Sequence, residues 1–143
     1  MYRAFTKTLA LVVFTAAALT ACKKDKDEAV EPTKENLAGT YTLSSSKSKI
    51  NGGEIDDMAQ MDACNKDDEY TLKADGTFIY TDAGTACVPD DSYTGTWSVS
   101  GKTISTPEVS GNIDSFNGKT LVIYLKEVAN GITYESTMVL NKK

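Results

Sequence analysis

Short runs of alternating apolar and polar residues, separated by Gly-containing turn pairs, dominate the chain from residue 37 onward. Such alternation has the two-residue period of a strand with one buried face and one solvated face. Tyr41 and Leu43 share a face, as do Tyr70 with Leu72 and Phe78 with Tyr80. Gly95, Trp97 and Val99 stand against Thr94, Thr96 and Ser98. Thr120–Val128 sets Leu121, Ile123 and Leu125 against Val122, Tyr124 and Lys126. Ile132–Leu140 sets Ile132, Tyr134, Met138 and Leu140 against Thr133, Glu135 and Thr137. Asp75-Gly76, Gly101-Lys102, Asn117-Gly118 and Asn130-Gly131 punctuate the runs, and such pairs between alternating segments mark hairpins. The pattern predicts an all-β domain over residues 37–143, with about eight antiparallel strands joined in series. Greek-key crossovers have room only in 46–68 and 82–92. A serial meander removes its edges by closing on itself, so a small up-and-down barrel is expected. One stretch departs from the pattern. In Ile50–Ala63 the spacing of Ile55, Met58 and Ala59 fits an apolar helical stripe, a short helix or a lid.

The hairpin around Asp75-Gly76 also bears on the cysteines. A two-residue loop pairs Ala74 with Thr77, and Cys64 and Cys87 stand at equal distances from that turn. The hairpin therefore brings them together. The bridge closes a loop of about 24 residues and contributes roughly 3 kcal/mol in the chain-entropy treatment. With neither CxxC spacing nor histidine in the chain, a redox or metal pair is the weaker reading.

The first 21 residues are a different material. Arg3 and Lys7 flank a basic start, and Leu9–Leu19 is an uncharged apolar run too short to span a bilayer. This describes a signal peptide over 1–21. Leu19-Thr20-Ala21-Cys22 resembles the lipobox of bacterial lipoproteins, which implies cleavage before Cys22 and lipidation of its side chain. Each buried CH₂ adds about 0.8 kcal/mol, so more than one acyl chain holds firmly. Residues 22–36 read as a charged, Pro-containing tether. The Cys22–Glu28 run resembles the export signal of Bacteroidetes lipoproteins, which implies the outer membrane, with the periplasmic and cell-surface faces both open.

Charge and composition exclude several functions. The whole chain has net charge −5, and loss of Arg3 and Lys7 takes it to −7. Arg3 is the only arginine and there is no histidine. Arginine forks and net positive charge carry most nucleic-acid recognition, so nucleic acid is not an expected partner. Triads and imidazole-ligated metals are excluded outright. Ser44-Ser45-Ser46 has only Lys47 and Lys49 as nearby bases. No enzyme activity, cofactor or resident metal is expected.

As a set, Gly39-Thr40-Tyr41-x-Leu43, Tyr70-x-Leu72, Asp75-Gly76-Thr77-Phe78-x-Tyr80, Cys87, Gly95-Thr96-Trp97-Ser98-Val99 and Leu121–Leu125 resemble the lipocalin-like domains of Bacteroidetes lipoproteins. The resemblance implies an eight-stranded barrel-like meander behind a lipid anchor. True lipocalins begin with Gly-x-Trp where this chain has Gly39-Thr40-Tyr41. Eight strands either fill with side chains or hold one small ligand. A filled barrel is the favoured expectation, because the inward set is bulky. The ligand-bearing alternative places a small apolar or amphipathic molecule against Tyr41, Tyr70, Phe78, Tyr80, Trp97 and Tyr134. Tyrosine hydroxyls need partners when buried, so a polar mouth near Tyr70, Tyr80 and Tyr134 is expected. Two functions follow, a lipid-anchored binding module and a filled domain that meets an envelope protein through its surface.

Acids cluster at Asp56-Asp57, Asp62, Asp67-Asp68-Glu69 and Asp90-Asp91. Solvated loop charge is the reading adopted. Convergence of Asp62, Asp67, Asp68 and Asp90 or Asp91 beside the disulfide is the arrangement that calcium, with its six to eight oxygens, requires.

Overall fold

The alternating runs form strands where expected, and their pairing closes them into a nearly complete barrel. The computed structural model describes residues 28–143. The signal peptide expected over 1–21 and the expected lipidation site Cys22 lie outside the described residues. Ten strands are present: β1 (Gly39–Ile50), β2 (Gly53–Asp56), β3 (Glu69–Leu72), β4 (Thr77–Thr81), β5 (Tyr93–Thr96), β6 (Ser98–Ser100), β7 (Thr103–Ser105), β8 (Ser110–Phe116), β9 (Thr120–Ala129) and β10 (Ile132–Lys142). Two one-turn helices, α1 (Lys34–Leu37) and α2 (Asp57–Gln60), and a 3₁₀ turn at Ala63–Asn65 complete the elements of the described residues.

The hydrogen-bonded order is β5-β4-β3-β1-β10-β9-β8-β7-β6, with β2 added beside β1. The two ends of this sheet are consecutive in sequence. β5 and β6 are halves of one course interrupted at Trp97, whose amide donates to Gly76 O at 2.9 Å. Eight staves therefore circle the barrel in chain order. The count of ten differs from eight because Trp97 leaves the ladder and because Asn51-Gly52 turns the chain back into β2. That turn uses positive φ at both residues, 48° and 87°, as a type I′ hairpin requires.

The β3–β4 hairpin differs from the expected one by a residue. Tyr70 faces Tyr80 and Leu72 faces Phe78, and Lys73 N donates to Thr77 O. The loop is Ala74-Asp75-Gly76, with Gly76 at φ 93°. A type I turn followed by a left-handed residue is the usual three-residue solution. The two-residue loop would have set Leu72 opposite Ile79 and split the apolar face.

The core comprises Leu37, Tyr41, Leu43, Leu72, Phe78, Tyr80, Trp97, Ile104, Ile113, Phe116, Leu121, Ile123 and Leu140. One end of the barrel is closed by the N-terminal segment. Val30 N donates to Phe116 O at 2.8 Å, Leu37 is fully buried, and the Tyr41 hydroxyl donates to Leu37 O at 2.7 Å. The tether expected over 22–36 thus runs partly onto the fold, beginning at Val30. Lys34 lies 5.9 Å from the Trp97 ring centre and Lys142 at the same distance from Tyr41.

A seam remains beside β5, whose far edge has no strand partner. Loop 106–109 fills it. A Cβ on Gly95 would stand 2.7 Å from Pro107 Cγ, so only glycine admits the loop here. The Tyr93 hydroxyl donates to Glu108 across the seam. Cys64 and Cys87 form a disulfide, with Cα atoms 5.2 Å apart, that ties the α2 segment to loop 82–92.

Candidate functional site

Two spaces compete as a binding site, the barrel centre and its open mouth. The centre is lined by Tyr41, Tyr70, Leu72, Phe78, Ile104 and Ile123 among others, and leaves about 30 Å³. That is room for about two water molecules, roughly a tenth of a small ligand pocket. Burial pushes the Tyr41 hydroxyl up to about 12, and Tyr70 is pushed to about 12 by burial and then by Glu108, Asp68 and Asp91. Side chains fill the centre, as the bulky inward set predicts.

The mouth is different. β1 carries a bulge between Leu43 and Ser45, which turns the even-numbered residues inward beyond it. Ser46 and Ser48 are buried there. α2 follows β2 and drops Asp57 onto them. Asp57 Oδ2 accepts from Ser46 Oγ at 2.9 Å and from Ser48 Oγ at 2.8 Å. Ser48 has one proton, and it goes to the carboxylate. The 3.1 Å contact between Ser48 and Tyr134 is therefore donated by the tyrosine hydroxyl. Beside this relay lies a cleft of about 360 Å³, lined by Ser48, Ile50, Ile55, Asp57, Gln60, Met61 and Tyr134. Met58 and Met61 pack their side chains against the core edge, so Ile50–Ala63 acts as a strand-and-helix lid over the barrel.

The six aromatic residues expected at a ligand do not share one surface. Tyr41 and Trp97 are buried at the closed end, at 1% and 3% exposure, and Phe78 lies in the core. Trp97 Nε1 donates to Lys73 O at 2.8 Å, which leaves no free polar edge. Tyr70, Tyr80 and Tyr93 form an aromatic wall, with ring centres 5.5 Å and 5.4 Å apart across Tyr80. The Tyr80 hydroxyl donates to buried Asp68, and burial followed by that bond raises its pKa. Only Tyr134 reaches the mouth cleft. Ser46, Ser48 and Asp57 were not anticipated there.

The acids do not gather as calcium would need. Asp67 accepts from Thr85 N and Asp68 from Ala83 N, each clamping loop 82–92. Asp82 accepts from Cys87 N through both oxygens. Asp82, Asp90 and Asp91 come within 4.8 Å of one another, without Asp62, Asp67 or Asp68. Backbone donation from Ser92 lowers the Asp90 pKa.

Residues 37–124 match the family described as Lipocalin-like domain, more than half of the chain. The chain belongs to the lipocalin-like domain family. Neither a curated protein nor a solved structure matches it. In this lipocalin-like domain Tyr41, standing where true lipocalins have the tryptophan of Gly-x-Trp, is buried at the closed end. Lys142 Nζ lies 5.9 Å from the centre of that ring. The open end of this lipocalin-like barrel is where space, polarity and apolar surface meet.

Proposed function

We propose that the chain is a lipid-anchored, non-catalytic binding module of the outer membrane that takes a small amphipathic ligand in its barrel mouth. The cleft of about 360 Å³ carries this reading. It falls within the range of ligand pockets, roughly 300–1,000 Å³. Ile50, Ile55 and Met61 offer apolar contact, while Ser48, Asp57 and Tyr134 offer oriented polar groups. The family supports small-ligand binding, and the filled centre directs it to the rim. Attachment through lipidated Cys22 follows from the Leu19–Cys22 sequence. The structured chain enters at the closed end, so a tether there leaves the mouth unobstructed.

Native mass spectrometry of protein purified from its host tests carriage. A co-purified small molecule, lost when Ile55→Asp or Met61→Asp is introduced, is the expected result. Repeated absence of any adduct favours the second reading, supported by the packed centre: a domain that meets an envelope protein through its surface. Anchoring is tested by palmitate labelling, which Cys22→Ser should abolish.

A further inference from the structure

The ligand class follows from the charges that face the mouth. Asp57 Oδ2 is occupied by two serine hydroxyls, and Oδ1 has no protein donor among the described residues. No lysine pairs with Asp57 among the described residues either. Strand pairing sets Glu127 directly across from Tyr134, and directly opposed residues share a face. A second carboxylate therefore stands on the concave side of the same hairpin. The nearby lysines lie on the other side: Lys47 and Lys49 alternate with inward Ser46 and Ser48, Lys49 pairs with Glu54 at 3.1 Å, and Lys126 pairs with Glu135 at 2.8 Å. The loops of this end add Asp67, Asp68, Asp82, Asp90 and Asp91 against a single lysine, Lys66, whereas Lys34, Lys73, Lys119 and Lys142 belong to the closed end.

We infer that the mouth selects an organic cation, an ammonium carried on an apolar chain or ring. The inference rests on the binding role proposed for the same cleft. The ammonium donates to Asp57 Oδ1. The apolar portion lies along Ile50, Ile55 and Met61, and the Tyr134 ring adds a face attractive to cations. Fixing Oδ2 with two hydroxyls presets the carboxylate, so little reorganisation opposes binding. The acidic rim raises the local concentration of cations and repels anionic amphiphiles such as fatty acids.

Isothermal titration of the purified full chain with octylammonium, octanol and octanoate tests this. Octylammonium should bind at least about ten-fold tighter than octanol, the ratio expected of one charge-assisted hydrogen bond, and octanoate should bind weakest. Asp57→Asn keeps an acceptor for Ser46 and Ser48 and should bring octylammonium to the affinity of octanol, with thermal melting confirming the fold. In the unmodified protein the ammonium preference should shrink as salt rises. Equal binding of ammonium and alcohol at low salt, unaffected by Asp57→Asn, overturns the cation inference and leaves the binding role standing. Failure of all three probes to bind overturns both.

Discussion

Asp68 is 1% exposed, with one carboxylate oxygen accepting from the Tyr80 hydroxyl and the other from the Ala83 amide at 3.1 Å. Removing it deprives both donors of their acceptor, and the Tyr80 hydroxyl is buried. Asp68→Ala should cost about 2–3 kcal/mol, the penalty for buried groups left unpartnered, measured by urea unfolding. Asp68→Asn retains one acceptor and should cost less. Tyr41 contributes to the alkaline limit, together with Tyr70, Tyr80 and Tyr93. Its ordinary value near 10 is pushed up to about 12 by burial. Below pH 10 the hydroxyl is protonated in both states and its contribution is full. Between about 10 and 12 the unfolded chain releases the proton first, so stability falls, on the order of 2 kcal/mol for this group. Denaturant titrations across that window should show the decline, with a shallower slope in Tyr41→Phe. The pairing of Tyr70 and Tyr80 on one face was legible in the sequence. Asp68 was not, because it sits between Asp67 and Glu69 in a run that looks solvated, and buried carboxylates are rare. Its donors lie 12 and 15 residues further along the chain.

At the scale of elements, the disulfide holds two segments that have no ladder of their own. Loop 82–92 contains no strand, and the α2 segment touches the barrel through two methionines and Asp57. The cysteines are separated by 23 residues. Cys64→Ser with Cys87→Ser should therefore lower stability by roughly 3 kcal/mol. Hydrogen exchange should quicken first in residues 57–68 and 82–92, with β9 and β10 protected, since opening follows local contact density. An unfolding midpoint equal to that of the unmodified protein would show that the lid is held by its side-chain contacts alone. The equal spacing of the cysteines about the turn anticipated this bridge, although the register slips by one. The slip was itself legible. Tyr70, Leu72, Phe78 and Tyr80 can share a face only if the loop has an odd number of residues. The β1 bulge left a similar trace, for Tyr41 and Leu43 are odd-numbered and buried, whereas Lys47 and Lys49 are odd-numbered and charged. A lysine pair inside the barrel would lack partners, so the parity must switch between them. That switch is what turns Ser46 and Ser48 onto Asp57.

For the molecule as a whole, barrel closure and a filled centre were legible from serial hairpins and the volume of the inward residues. The plug was not. Residues 30–37 look too polar to join a core, and only Val30 and Leu37 do so, in a place fixed by the far ends of β8 and β10. The result is a polar object in the electrostatic sense. Lys34, Lys73, Lys119, Lys142 and the entering segment at Val30 lie at the closed end, while the lysines near the mouth, Lys47, Lys49 and Lys126, stand on its outer face and carboxylates lie on the loops around it. Such a barrel can hold a ligand at its rim without hollowing its centre, which Phe78→Ala tests. Phe78 is 1% exposed, stacked 5.9 Å from Tyr93 and close to the seam at Gly95. Its truncation should cost about 3–5 kcal/mol. The void it leaves is apolar, and such voids stay dry and accept small hydrocarbons. Benzene should then raise the melting temperature of Phe78→Ala and leave that of the unmodified protein unchanged. Octylammonium binding at the mouth should survive in the variant, because the Asp57 relay and the Ile55–Met61 wall do not touch Phe78. An equal benzene shift in both proteins would mean that the centre already breathes open, and a ligand's apolar chain could then thread from the mouth into the barrel.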